Sequence, residues 1–110
     1  MNSSLRMVIG VLAATASAGA LAQDATALRA RALAATCAQC HGTDGRAVEG
    51  GAVPGLAGLP ATYLVEQMNA FKSGARAGSV MPQLAKGYSE AQIAELAAWF
   101  ARGPAPAAAK

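Results

Sequence analysis

Cys37-Ala38-Gln39-Cys40-His41 gathers the residues of this 110-residue chain that are best suited to chemistry. Two thiols about one helical turn apart can each add to a vinyl group of the same porphyrin, and the imidazole that follows is delivered to the iron. A Cys-x-x-Cys-His run therefore reads as a c-type haem attachment site. The dithiol alone would also suit a redox disulfide or half of a zinc site. Structural zinc wants four ligands, usually as two pairs, whereas this chain has 2 cysteines and 1 histidine in all. A thioredoxin-like dithiol belongs in a βαβ setting, which the Ala-rich flanks do not offer.

Haem iron held by histidine on one side takes a second axial ligand, and in electron-carrying c-type haem proteins methionine is the usual one. A second histidine from the chain is excluded, because His41 is the only one. Met1 and Met7 fall in an expected leader, which leaves Met68, Met81 and the lysines. Met68 lies mid-stripe in an expected helix, where methionine usually serves as a flexible filler of the core. Met81 lies in an expected loop directly before Pro82, which favours extended backbone at the residue preceding it. Met81 is thus the preferred second ligand. Pro54-Gly55-Leu56 is the other informative piece. A metal-bound histidine commonly donates its second ring N–H to a carbonyl; Pro54 can supply one to His41, and Leu56 can pack on the porphyrin. An ordinary turn proline and core leucine would look the same, and spacing does not choose between them.

Three helices are expected to position these groups. Residues 25–38 are rich in Ala, Leu and Arg without Gly or Pro, and Asp24 is a suitable N-cap. Ala30 and Ala34 leave a small-residue face for another helix. Residues 42–59 are Gly-rich and loop-like. A second helix starts at Pro60 or Ala61 and runs to Lys72, with Leu64, Met68 and Phe71 as its apolar stripe. After an irregular stretch over 75–87, Ser89-x-x-Gln92 opens the last helix as a capping box. Ile93, Leu96, Ala97 and Phe100 form its stripe, and Gly103-Pro104 stops it. No strand signal, repeat or phosphate loop is present, so the expected class is all-α.

Residues 1–22 read as a cleaved signal peptide: Arg6 supplies the positive start, 7–18 the apolar core, and Ala20-Leu21-Ala22 the cleavage signal. The segment is short of the roughly 20 predominantly apolar residues of a membrane span, so no stable span is expected after cleavage and the working compartment is the periplasm or an equivalent exported space. Residues 23–104 form one domain, marginal in core size unless a bound group supplements it, and 105–110 a flexible Ala/Pro-rich tail. The formal net charge of +3 falls to +2 once Arg6 is lost, and two haem propionates would bring it near zero. Nucleic acid binding has little support in such a balance.

With these residues in place, the chain resembles a class I cytochrome c over nearly its whole mature length. The carrying features are Cys37-Ala38-Gln39-Cys40-His41-Gly42, Val53-Pro54-Gly55-Leu56 and Val80-Met81-Pro82. Ala85-Lys86-Gly87-Tyr88-Ser89 adds a narrower likeness to small periplasmic carriers, diheme half domains and the haem subunit of flavocytochrome c sulfide dehydrogenase. The resemblance implies crossing first and last helices with haem enclosed by loops. It implies one covalently attached haem c, thioethers at Cys37 and Cys40, axial ligands His41 and Met81, and a Pro54 carbonyl partner for His41. A lone attachment motif means the chain is not a complete diheme protein. The expected function is single-electron transport without catalysis, between redox partners such as an oxidising dehydrogenase and a terminal oxidase. The alternative is the electron-transfer subunit of a sulfide-oxidising flavoprotein. A third reading is a haem ligand binder, should Met81 leave the iron open.

Overall fold

A computed structural model describes residues 25–103 of the chain. The expected leader, the Asp24 cap and the tail over 105–110 lie outside the described residues. Among the described residues there is no strand, and no helix is long and apolar enough to cross a membrane.

The first helix, α1, covers 25–35. It does not run on to 38 as a single piece. The Thr36 hydroxyl donates to the Leu33 carbonyl at 2.8 Å, and the Cys37 N–H turns back to Ala34 at 3.1 Å. A short helix α2, Ala38–His41, follows with Cys37 as its N-cap. The break arises where a threonine side chain competes for main-chain carbonyls, which hydroxyl residues do readily. Gly42 closes α2 and leads into a single 3-10 turn, Thr43–Gly45.

The loop that follows is irregular, as its glycines predict, but it is anchored. The Gly45 carbonyl accepts from the N–H of Leu56 at 2.7 Å and of Ala57 at 3.1 Å, and Gly58 donates to the Phe100 carbonyl at 2.8 Å. Helix α3, Ala61–Ser73, has Pro60 as its N-cap rather than its first helical residue, and ends at Gly74 in the left-handed conformation. Helix α4, Met81–Lys86, replaces much of the irregular stretch expected over 75–87. Met81 is therefore the first residue of a helix, not a loop residue. Proline in a first helical turn removes an N–H that has no intrahelical partner, and this offsets the preference against helix at the residue before it. Helix α5, Glu90–Ala101, starts at the expected capping box: Ser89 Oγ accepts from the Gln92 N–H, and the Gln92 side chain accepts from the Ser89 N–H.

Helices α1, α3 and α5 meet in one apolar cluster of Ala34, Leu64, Leu96, Ala97 and Phe100, with Leu33, Cys37, Leu56 and Trp99 partly buried against it. The expected stripe of α5 is buried in full. Ala34 enters this cluster beside α5 residues, and Arg29 of α1 reaches Glu95 of α5 at 3.6 Å, so the first and last described helices close on each other as expected. Helix α3 packs against both α4 and α5. Lys72 ties the end of α3 to the start of α5 by donating to the Tyr88 carbonyl at 2.6 Å and to Glu90 at 3.0 Å.

Candidate functional site

Cys37 ends the turn after α1, and Cys40 and His41 follow on α2. Both cysteines are free thiols. They stand close enough for Cys40 to raise the Cys37 pKa by charge, but burial is the larger cause; the Thr36 hydroxyl, 3.9 Å from the sulfur, opposes both. The Cys37 thiol is thus held protonated at neutral pH. Cys37 packs against the apolar cluster while Cys40 is exposed.

The His41 ring is oriented from one side. Its Nδ1 lies 2.7 Å from the Pro54 carbonyl oxygen. A carbonyl only accepts, so Nδ1 carries the proton, and the lone pair of the neutral ring is left on Nε2. Pro54 therefore makes the carbonyl contact for which the sequence left two readings open. Two residues on, Leu56 packs against the apolar cluster and donates its N–H to Gly45. The loop from 46 to 56 is in this way held at both ends, with Pro54 presented to His41 between them.

Met68 and Met81 are both partly buried and lie on α3 and α4, the helices that pack together. The cysteines, His41, Pro54 and Leu56 thus belong to one arrangement around α2, and the two methionines to another. Beside Met68, Asn69 keeps a buried side-chain oxygen, Oδ1, without a hydrogen-bond partner. A buried polar atom left unmatched costs about 1–3 kcal/mol, so this position suits a chain that takes up a further group. The donor set points the same way. Two thiols, an imidazole with Nε2 free and a pair of thioethers fit a covalently attached haem.

Sequence reasoning named Gly42 only as part of the motif. Its φ of 84° and ψ of 161° are open essentially to glycine alone, and a Cβ there would sit 1.7 Å from the Arg46 carbonyl oxygen. The signal available was a glycine directly after the histidine. Thr36 was missed, and Tyr88 was named only as part of the narrower likeness. Because the Thr36 proton is committed to Leu33, the Tyr88 O–H donates to Thr36 Oγ1 at 2.9 Å, bracing the turn that carries Cys37 from 52 residues away. No local pattern announces such a contact.

Of the basic residues at the end of α3 and just beyond it, Lys72 is engaged with Glu90, and Arg76 bonds Gln67 and lies over the Phe71 ring at 4.6 Å. They are less available to a diffusing partner than their charge suggests.

Comparison with known proteins gives a consistent result. The family model described as cytochrome c matches residues 27–102. The thiosulfate dehydrogenase electron acceptor of Thiomonas intermedia (strain K12) is 42% identical over 69 residues, covering 63% of this chain and 32% of that protein. The cytochrome subunit of sulfide dehydrogenase of Chlorobaculum tepidum is 36% identical over 75 residues, covering 68% of this chain and 66% of the relative. The solved structure of Acidithiobacillus ferrooxidans cytochrome c4 superposes with a TM-score of 0.57 at 36% identity, covering 60% of this chain and 37% of that one. The chain spans about a third of the length of the thiosulfate dehydrogenase electron acceptors it matches.

Proposed function

The chain belongs to the cytochrome c family, and from that membership we propose that it is a single-haem electron carrier of an exported compartment, serving a dehydrogenase of reduced inorganic sulfur compounds. Its fold is that of a class I cytochrome c, and membership brings haem c, covalently attached and carrying iron. In this reading Cys37 and Cys40 would form the two thioethers, His41 and Met81 would ligate the iron, and Leu56 and Met68 would pack on the haem. Once attached, the haem supplies an iron that takes up or releases one electron at a time. The protein's part is to fix its surroundings. Pro54 holds the His41 proton on Nδ1, and with His41 and Met81 both on the iron no substrate would reach the metal. A carrier with His/Met ligation in apolar surroundings has a comparatively high potential, suited to accepting electrons from an oxidising enzyme.

The observation that carries the reading is the 2.7 Å contact from His41 Nδ1 to the Pro54 carbonyl inside a Cys-x-x-Cys-His run. The choice of donor enzyme rests on the named roles of the thiosulfate and sulfide dehydrogenase relatives. Export to the periplasm rests on the leader pattern alone.

Two measurements test the proposal. Acidic organic solvent is expected to leave the haem on the denatured chain, and extractable haem would sink it. Ferric protein is expected to show the weak far-red band of sulfur ligation. Met81→Ala should abolish that band and open the iron to added ligands, while Met68→Ala should keep the band at a cost of about 2–5 kcal/mol in stability. The reverse pattern would transfer the ligand role to Met68. Retained ligand binding by the unaltered protein would favour the haem ligand binder instead.

The second reading, a permanent subunit of a sulfide-oxidising flavoprotein, is favoured by the Chlorobaculum tepidum relative, two-thirds of whose length is matched. Stopped-flow reduction across a salt series separates the two. A free carrier steered by charge slows steeply as salt rises, whereas transfer inside a stable complex responds little and the flavoprotein copurifies.

A further inference from the structure

Where α1, the loop after the 3-10 turn and the end of α5 come together is a cleft of about 460 Å³ lined by Arg31, Asp44, Arg46, Trp99, Arg102 and Gly103. It includes none of the residues assigned to the haem. Its arginines come from three separate parts of the chain: α1, the loop after the 3-10 turn, and the residue after α5. Elsewhere the cations are largely spent, with Arg29 on Glu95, Lys72 on Glu90, and Arg76 on Gln67 and Phe71. Among the described residues, the side chains of Arg31 and Arg46 have no hydrogen bond or ion pair, and Asp44 has no ion pair. Arg102 is held in place by its Nε, which donates to the Ala98 carbonyl at 3.2 Å, and its guanidinium lies 5.5 Å from the Trp99 ring centre. Its terminal nitrogens remain available. Three guanidiniums thus share one concavity with a single carboxylate, an arrangement that repels itself until an anion enters.

We propose that this cleft docks an acidic segment of a partner protein, with the partner's carboxylates on Arg31, Arg46 and Arg102 and an apolar side chain on Trp99. The guanidinium fork matches a carboxylate in two-point geometry. Arginine and tryptophan are the residue types over-represented among those that dominate binding at protein interfaces. The cavity is too large to be filled by one tetrahedral oxyanion. Asp44 argues for polypeptide over nucleic acid. Its exposed carboxylate can accept from the main-chain N–H groups that a peptide brings beside its acidic side chains, whereas a phosphate backbone brings acceptors only.

Trp99 is the only tryptophan, so its indole N–H gives one resonance in the ¹⁵N-labelled ferrous holoprotein. Titration with a hexaglutamate peptide is expected to shift that resonance saturably, and more weakly as salt rises. Arg31→Gln and Arg46→Gln should each weaken binding about fivefold while the haem spectrum and potential stay unchanged. Either variant suffices if the other yields no holoprotein. The proposal is overturned by the absence of a saturable shift, or by binding that ignores both substitutions. It is equally overturned if sodium sulfate at matched ionic strength gives the same shift, which would make this a small-anion site, or if an oligothymidylate of equal charge binds more tightly.

Discussion

Gly42 and Gly74 share a φ of 84° and differ in everything around them. Gly74 caps α3 with open space where a side chain would go, whereas a Cβ on Gly42 would lie 1.7 Å from the Arg46 carbonyl oxygen. The contrast extends to the regions they serve. The helical frame is held by side chains meeting across helices, with Ala34, Leu64, Leu96, Ala97 and Phe100 at its centre. Around the attachment motif, main chain meets main chain. Gly45 receives two N–H groups and Gly58 reaches Phe100, and the one side chain tied in, the His41 ring, meets the main-chain carbonyl of Pro54. One region tolerates small changes in side-chain volume; the other has almost no side chains to give way.

Substitution at the two glycines is the strongest way to break this contrast. Gly74→Ala is expected to cost about 1–2 kcal/mol, the usual strain of a left-handed L-residue, and to leave holoprotein yield intact. Gly42→Ala adds a backbone collision to strain of about 1–3 kcal/mol, so the turn behind His41 cannot keep its shape and holoprotein should fail to accumulate. Yields measured side by side from haem absorbance decide the matter. Equal losses would mean that the attachment loop is as forgiving as the frame.

Phe100 is shared by both regions and is buried, with 4% exposure. Its ring occupies the space left by Gly45, where a Cβ would come within 2.7 Å of it, and its carbonyl takes the Gly58 N–H. Phe100→Ala should cost about 3–5 kcal/mol in denaturant unfolding of the holoprotein. The thioethers keep the haem on the chain, so stability falls without release of the cofactor. A cost confined to about 1 kcal/mol, at the low end for any core truncation, would show that the two regions are joined elsewhere.

The two regions also differed in how far they could be read from sequence. The frame follows from local rules. The alternation of Ile93, Leu96, Ala97 and Phe100 fixes the buried face of α5, and Ser89 with Gln92 fixes where it starts. Helix α4 escaped because six residues are too few for periodicity, and because Pro82 argues against helix at Met81 unless the helix begins there. Around the motif, residue types revealed the chemistry and their spacing did not reveal the geometry. Cys37, Cys40 and His41 announce the group they hold. The Pro54 carbonyl lies against His41 just before the point where Gly45 gathers Leu56 and Ala57, and that gathering is a main-chain contact with no side-chain signature. The hydrogen bond from Tyr88 to Thr36 was unreadable for a different reason, since it depends on α5 closing over α1.

The smallest expected effect lies at the corner before α5. Ser89 Oγ accepts from the Gln92 N–H at 3.2 Å, and the Ser89 N–H donates to Gln92 Oε1 at 2.9 Å. Removing the hydroxyl strips one bond from this pair, and Ser89→Ala should cost about 1 kcal/mol. For a domain of this size, that is a fall in melting temperature of about 4–8 °C. The neighbouring ties do not use the Ser89 side chain: Lys72 takes the Tyr88 carbonyl, and the Tyr88 hydroxyl goes to Thr36. The turn carrying Cys37 should therefore keep its brace. Thermal unfolding of the holoprotein should move by the stated amount while the far-red band of the ferric state stays in place. Movement of that band would mean that α5 sets the ligand geometry directly, and the frame and the attachment region could no longer be treated as separable.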